Sequence, residues 1–149
     1  MLYNTGMNDK FYVSLEAARL LKEKGFNEPC MVLWDEEFEE LIPASSICSY
    51  KNQNLLEGYC SAPKLIEALD YLEKKGVHIE IRMQHCKTKG DPYQIADDDE
   101  YQWKWYYAIC KGDDIKNPIL EEGDNGYVLM HPDMVSCLRA AIRKGVSVL

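Results

Sequence analysis

Cysteine and histidine are the residues of this chain whose side chains could do covalent chemistry. A catalytic thiolate needs a base close to it in space. His85 and Cys86 are neighbours, but adjacent residues of a strand point to opposite faces, so His85 is poorly placed to activate Cys86. Cys60 precedes a predicted helix, whose N-terminus would lower the pKa of its thiol, although no histidine can be assigned to it. Cys60 and Cys86 are the candidate nucleophiles, and incidental thiols are the favoured interpretation.

The same residue types lack the spacing of a metal site. No CxxC or HxxxH pair occurs in the sequence. Two acidic runs, WDEEFEEL at residues 34–41 and DDDE at 97–100, could attract a divalent cation, but neither has the register of a calcium loop. We interpret both runs as solvated surface charge. Phosphate-binding loops, dinucleotide fingerprints and zinc-protease helices are absent as well, so the sequence predicts no metal and no cofactor.

Aromatic residues are concentrated in residues 101–110, YQWKWYYAIC. One hypothesis is a platform on which bases or sugars stack. The favoured alternative is a half-buried strand, in which Trp103, Trp105 and Tyr107 pack beneath helices, so that Trp103→Ala would cost about 3–5 kcal/mol. Tyr106 then lies on the other face, framed by Gln102 and Lys104. These three residues are the candidate contacts with a protein partner.

The composition is that of one globular domain, residues 1–149, with 46% hydrophobic and 28% charged residues. Residues 1–10 are expected to be flexible. The net charge of −8 opposes binding to nucleic acid and to anionic membranes. No apolar run approaches the roughly 18 residues of a membrane span, and the first residues lack a secretion signal. We therefore expect a cytoplasmic protein whose six cysteines stay reduced.

Three helices are predicted from capping residues and apolar spacing, over residues 14–25, 61–76 and 131–145. Ser14 caps the first, and Ser61 or Ala62 caps the second. Each helix is expected to end at a glycine that follows a lysine: Gly25, Gly76 and Gly145. The predicted core-facing residues are Leu15, Ala18, Leu20 and Leu21; Leu65, Ile66, Leu69 and Leu72; and Met134, Val135, Leu138, Ala141 and Ile142.

The strands are predicted from alternation and short apolar runs. Residues 77–83 alternate and are expected to pair antiparallel with 101–110. Residues 30–34 form a second apolar strand, with 44–50 as its partner, and 126–130 are a short strand or an extended lead into the last helix. The order α-β-β-α-β-β-α predicts an α+β fold, a small antiparallel sheet of about four strands with three helices.

Four motifs of the chain resemble a known group of proteins. They are VSLE at residues 13–16, GFNEPC at 25–30, SAP at 61–63 and the Tyr- and Trp-rich strand at 101–107. Together they resemble small α+β proteins encoded by gut bacteria and their phages or mobile elements, over most of residues 11–145. The resemblance departs at HPD, residues 131–133. Because the motifs are helix caps and strand patterns, the resemblance implies a fold and a phage or mobile-element origin, and no catalytic residues.

Three classes of function remain after these exclusions. The favoured hypothesis is a non-catalytic protein-interaction module that binds a protein partner or a second copy of itself. The second is a cysteine-dependent enzyme that uses Cys60 or Cys86. The third is an acidic inhibitor that mimics nucleic acid, which the net charge of −8 would permit.

Overall fold

A computed structural model describes residues 8–46, 53–87, 101–123 and 126–149 of the chain. Residues 1–7, on which most of the expected N-terminal flexibility falls, lie outside these ranges, while Asp9–Phe11 is a 3₁₀ turn. The described residues form three helices and six strands. In chain order they are α1 (Leu15–Glu23), β1 (Val32–Asp35), β2 (Glu40–Pro43), β3 (Tyr59–Ser61), α2 (Leu65–Lys74), β4 (Val77–Lys87), β5 (Tyr101–Lys111), β6 (Ile119–Leu120) and α3 (Met134–Ser147).

The strands form two sheets, whereas the sequence predicts a single sheet of about four strands. Both sheets are antiparallel and three-stranded among the described residues, in the orders β2-β1-β3 and β4-β5-β6. The α+β class is confirmed. The predicted number of strands and sheets is wrong, because β3 has three residues and β6 has two, too few to show an alternating pattern.

The strand predicted at residues 44–50 is wrong where the structure describes it. Ala44–Ser46 is a 3₁₀ turn, and residues 47–50 lie outside the described residues. β1 pairs instead with Glu40–Pro43, at the end of the acidic run. Residues 126–130 contribute one isolated bridge, between Val128 and Glu122, and form no strand.

The pairing predicted between residues 77–83 and 101–110 is confirmed. β4 and β5 are antiparallel over their whole length, from the pair Val77–Lys111 to the pair Lys87–Tyr101. β4 continues beyond the predicted end at Met83. The result is a two-stranded ribbon of 11 residues in each strand, long compared with the usual strand of about 5–6 residues.

The start of α1 is as predicted, and that of α2 is not. The Ser14 side chain accepts a hydrogen bond of 3.2 Å from the Ala17 amide, as an N-cap does. α2 begins later than predicted, after Lys64, whose own amide donates to Glu67 Oε1 at 2.8 Å. Ser61 belongs to β3, where its backbone pairs with Leu33, and it lies three residues before Lys64, the N-cap of α2.

α3 passes through Gly145, the residue at which it is predicted to end. Gly25 and Gly76 do have positive φ angles, of 82° and 79°, which suit a helix exit. Gly145 instead is a buried position inside the helix. A Cβ atom there would lie 3.1 Å from Leu72 Cδ1 and 3.2 Å from Ile79 Cδ1. The missing side chain lets α3 approach α2 and β4 closely.

The core lies between the helices, the β2-β1-β3 sheet and the half of the β4–β5 ribbon that begins at Val77. Of the predicted core residues, Leu21, Leu72, Ala18, Leu65, Ala141 and Ile142 are buried, and Leu15, Leu20, Leu69, Val135 and Leu138 pack partly buried against them. Ile66 and Met134 are exceptions, since 69% and 53% of their surfaces are exposed. Both lie in the first turn of their helices, where neighbouring elements do not cover them.

The prediction that Trp103, Trp105 and Tyr107 share one covered face is only partly right. Tyr107 is 2% exposed, and Trp105 packs partly buried against the core. Trp103 is 54% exposed, so the prediction for this residue is wrong. The face is continuous, but the helices cover only the near part of the ribbon.

The stability of two aromatic variants should therefore differ, although both residues occupy the same strand face. Trp103→Ala should lower the free energy of unfolding by less than about 1 kcal/mol, as at other exposed positions. Tyr107→Ala should lower it by about 3–5 kcal/mol, because a large buried side chain is removed. Urea denaturation of the two variants measures this difference. Equal losses of unfolding free energy in the two variants would contradict the finding that Tyr107 is covered and Trp103 is not.

A side chain at Gly145 should weaken the packing of α3. Gly145→Val should lower the free energy of unfolding by about 1–3 kcal/mol, because the added atoms overpack the contact with Leu72 and Ile79. Lys144→Val, at an exposed position of the same helix, is the matched control and introduces the same side chain without the clash. Thermal unfolding compares the two variants. A Gly145→Val protein as stable as the Lys144→Val control would contradict the close approach of α3 to α2 and β4.

Candidate protein-interaction surface

The far half of the β4–β5 ribbon, residues 82–87 and 101–106, extends beyond the cover of the helices; we call it the arm. Burial falls steadily along β4, from buried Val77 through half-buried Ile79 and Ile81 to exposed Met83. β5 follows the same trend from Ile109 outward. The arm is thus a two-stranded extension of the ribbon whose apolar face is not covered by the described helices.

Four side chains form the exposed aromatic face of the arm: Met83, His85, Trp103 and Trp105. The register pairs Met83 with Trp105 and His85 with Trp103. The His85 and Trp103 rings stack, with centroids 4.8 Å apart and planes inclined by 26°. Met83 and Trp103 are each 54% exposed. The stack orders Trp103 while leaving half of its surface accessible.

The opposite face carries the three residues that the sequence predicts as binding contacts. Tyr106, Gln102 and Lys104 do share this face, across from Arg82, Cys86 and Gln84. Arg82 forms an ion pair of 2.8 Å with Glu80. Contacts with Glu80, and then with Tyr106, raise the pKa of Arg82 above its usual value. Tyr106 is half-buried and engaged by Arg82, so the larger apolar surface lies on the other face.

The outer edge of β4 is the side that does not face β5, and some backbone groups of β4 point outward there. Trp105 exchanges two backbone hydrogen bonds with His131, of 3.0 and 2.7 Å, so its amide and carbonyl point away from β4. Met83, directly opposite, is therefore in a non-hydrogen-bonded pair, and its own amide and carbonyl point outward. Ile81, two residues earlier, has the same orientation. No further described strand pairs with this edge.

Neither candidate nucleophile has the environment of an activated thiol. Cys60 lies in β3 and is fully buried, and α2 begins only at Leu65. Burial raises the pKa of Cys60 to about 11, and the Glu36 carboxylate adds to the rise, so the predicted lowering is wrong. Burial also raises the pKa of Cys86, while Lys104 lowers it. His85 lies on the opposite face from Cys86, as predicted.

One cluster of ionisable groups escaped the sequence analysis: Tyr107, Glu121, His131 and Cys137. His131 Nε2 lies 3.4 Å from Glu121 Oε2, and the His131 ring lies over Tyr107 with centroids 6.2 Å apart. Burial, and then Glu121, raises the pKa of Tyr107 above its usual value and that of Cys137 to about 11. Both residues are almost completely buried.

This cluster attaches the segment between β6 and α3 to β5. Its members lie far apart in the sequence, at positions 107, 121, 131 and 137, and have no motif spacing that could have announced it. Cys137 and Tyr107 are closed to solvent, whereas His131 and Glu121 are partly exposed at the edge of the cluster. We interpret it as a structural contact that holds His131 beside Trp105 at the base of the arm.

The described ranges hold neither a cluster of metal ligands nor a membrane-spanning helix. No group of three or more His, Cys, Asp or Glu side chains there is arranged to hold a metal ion. Within the same ranges, no helix combines the length and apolarity that crossing a membrane requires. No disulfide joins the five cysteines that the structure describes, which are Cys30, Cys60, Cys86, Cys110 and Cys137.

Alkylation should separate the thiols by burial. Iodoacetamide at neutral pH should modify Cys86 and Cys110 in the native protein, because both are partly exposed. Cys60 and Cys137 should react only after unfolding, because a buried and protonated thiol is a poor nucleophile. Peptide mapping by mass spectrometry gives the order of reaction. Native reaction of Cys60 as fast as that of Cys86 would revive the enzyme hypothesis.

Comparison with known proteins assigns no family. No family model, no curated protein and no solved structure matches the chain. The arm, with its exposed aromatic face beside the outward-facing backbone groups of β4, is the candidate functional site that the chain's own geometry defines.

Proposed function

We propose that this chain is a non-catalytic protein-interaction module that binds another protein through the arm. The observation that carries the proposal is the exposure of Met83 and Trp103 side by side, next to the outer edge of β4. Tryptophan is among the residues that contribute most to binding energy at protein interfaces. Exposed apolar surface gathered on one projecting element is typical of such interfaces.

The geometry favours binding by strand addition. An extended segment of the partner would hydrogen-bond to the outward amide and carbonyl groups of Ile81 and Met83. Every second side chain of that segment would lie on the aromatic face, against Met83 and Trp103. Backbone pairing would supply orientation, and the aromatic contacts would select partners with apolar side chains at alternate positions.

The net charge of the chain favours a protein over a nucleic acid. A stacking platform for bases needs a positively charged groove beside it. The arm carries the bases Arg82, Lys87 and Lys104, of which Arg82 is paired with Glu80, but the chain as a whole carries a net charge of −8. That charge also opposes close association of two identical copies. A different protein is therefore the proposed occupant.

The biological setting is proposed from the sequence. The resemblance of residues 11–145 to proteins of gut bacteria and their mobile elements supports a phage or mobile-element origin. Buried thiols without disulfides support residence in a reducing cytoplasm. The cysteine-dependent enzyme is the less favoured alternative, because burial raises the pKa of both Cys60 and Cys86.

Two variants at Met83 separate backbone pairing from side-chain contact. Met83→Ser removes the apolar side chain and keeps the outward N–H, so it should weaken capture of the partner. Met83→Pro also removes the N–H, which β5 does not use, and should abolish capture. Quantitative pull-downs from a lysate of the bacterium that encodes the chain, analysed by mass spectrometry, measure the recovery of the same partner in each case.

Phe38→Ala is the matched control, since Phe38 is a well exposed aromatic residue outside the arm. It should leave the recovery unchanged. Circular dichroism of the Met83 variants verifies that the β4–β5 ribbon still forms. A partner recovered equally by wild type and by both Met83 variants would exclude the arm as its binding site. Light scattering that showed a stable dimer, lost in Met83→Pro, would replace the proposed partner by a second copy.

A further inference from the structure

A second exposed surface, which shares no residue with the arm, lies between the first turns of α2 and α3 and the Asp9–Phe11 turn. It is an open groove of about 790 Å³. Its lining is mostly apolar and comes from three separate parts of the chain. The residues are Asn8, Phe11, Tyr12, Lys64, Leu65, Ile66, Leu69, Met134, Val135 and Leu138.

The groove is bordered by large apolar side chains that the fold leaves in water. Phe11 is 56% exposed, and Ile66 and Met134, the two residues wrongly predicted to lie in the core, border the same groove. Three elements therefore each place one exposed apolar residue around a common depression. Scattered single apolar residues are normal on a surface, whereas convergence of this kind marks a docking site.

One margin of the groove is acidic. A second depression, of about 690 Å³, shares Ile66 and Leu69 with the groove and is lined in addition by four carboxylates. These are Glu28, Glu67, Asp70 and Glu73. Lys74 pairs with Asp70 at 2.7 Å, and the described lining of the two depressions holds two basic side chains, Lys64 in the groove and His78 in the second depression. The margin is negative even after this pairing.

We infer that this groove binds an amphipathic helix of a partner protein, with a basic flank that faces Glu67 and Glu73. The inference is independent of the arm, with which the groove shares no residue. Two walls are the helices α2 and α3, and the third is the Asp9–Phe11 turn with Tyr12, whose backbone already pairs with Lys64, so no described strand edge faces the groove for an extended peptide to join. Apolar residues at positions i, i+3 or i+4, and i+7 of the partner would contact Ile66, Leu69 and Met134.

The charge selects among possible helices. Lysine or arginine on one flank of the partner would be attracted by the acidic margin, and glutamate there would be repelled. The helices of a second copy do not meet this requirement. α1 and α2 bury their apolar stripes in the core, around Leu21 and Leu72, and the chain as a whole is acidic. A basic amphipathic helix from a different protein is the occupant that fits.

Synthetic peptides test the inference directly. The probe is a helical peptide of about four turns with a leucine stripe and lysines on one flank. Two companions carry glutamates on that flank, or the same leucines and lysines in scrambled order without an amphipathic face. Fluorescence anisotropy at physiological salt should show the lysine probe binding at least about tenfold tighter than either companion, a difference of about 1.4 kcal/mol.

Matched variants of the protein locate the site. Ile66→Ser should weaken binding of the lysine probe at least about tenfold, whereas Ile115→Ser, at an exposed position outside the groove, should not change it. Glu73→Lys should weaken binding more than Glu23→Lys, which makes the same change of net charge on an exposed position of α1. Both charged residues lie on helices, so helix stability is comparably affected.

Three outcomes would overturn the inference. They are equal binding of the lysine probe and the scrambled peptide, unchanged binding to Ile66→Ser, and equal effects of Glu73→Lys and Glu23→Lys. Met83→Pro should bind the probe like the wild type, because the arm is not involved. If the lysine probe does not bind in the groove, the proposed function of the arm is unaffected. If the partner is not captured through the arm, the inference about the groove is unaffected.

Discussion

The close packing of α3 on α2 and β4 is the contact on which the rest of the structure depends. Gly145 makes it possible, because a Cβ atom at this position would lie 3.1 Å from Leu72 Cδ1 and 3.2 Å from Ile79 Cδ1. α3 also contacts α1 and β5, so one helix joins the near half of the ribbon to the other helices. Ile142, in the same stripe of α3, is fully buried in the core that results.

Both candidate surfaces follow from where this packing ends. The ribbon is longer than the helices that cover it, so its far part projects and exposes Met83 and Trp103. At the N-terminal end of α3, the first turns of α2 and α3 lie beside the Asp9–Phe11 turn without filling the space between them. Exposed apolar surface opposes stability and solubility in an isolated chain, and its presence at two defined places favours binding partners as the explanation.

The described polar groups inside the fold make contacts between distant parts of the chain. Glu121 and His131 pair beside Tyr107, and His131 also holds Trp105 through two backbone hydrogen bonds. This contact fixes the base of the arm at the point where helix cover is lost. Burial, and then the Glu36 carboxylate, raises the pKa of Cys60 and so favours the protonated thiol. The two surfaces proposed to bind partners lie outside this interior.

The sequence by itself determined the local elements: the Ser14 cap, the β4–β5 pairing and the α+β class, because caps and periodicity act over a few residues. It predicted apolar and polar faces correctly but not where each face passes from core to solvent. Trp103 and Tyr107 share one face and one periodicity, yet only Tyr107 is covered, since the reach of α3 decides burial. The approach at Gly145 and the joining of Glu121 to His131 likewise depend on contacts between distant segments, which only the tertiary structure brings together.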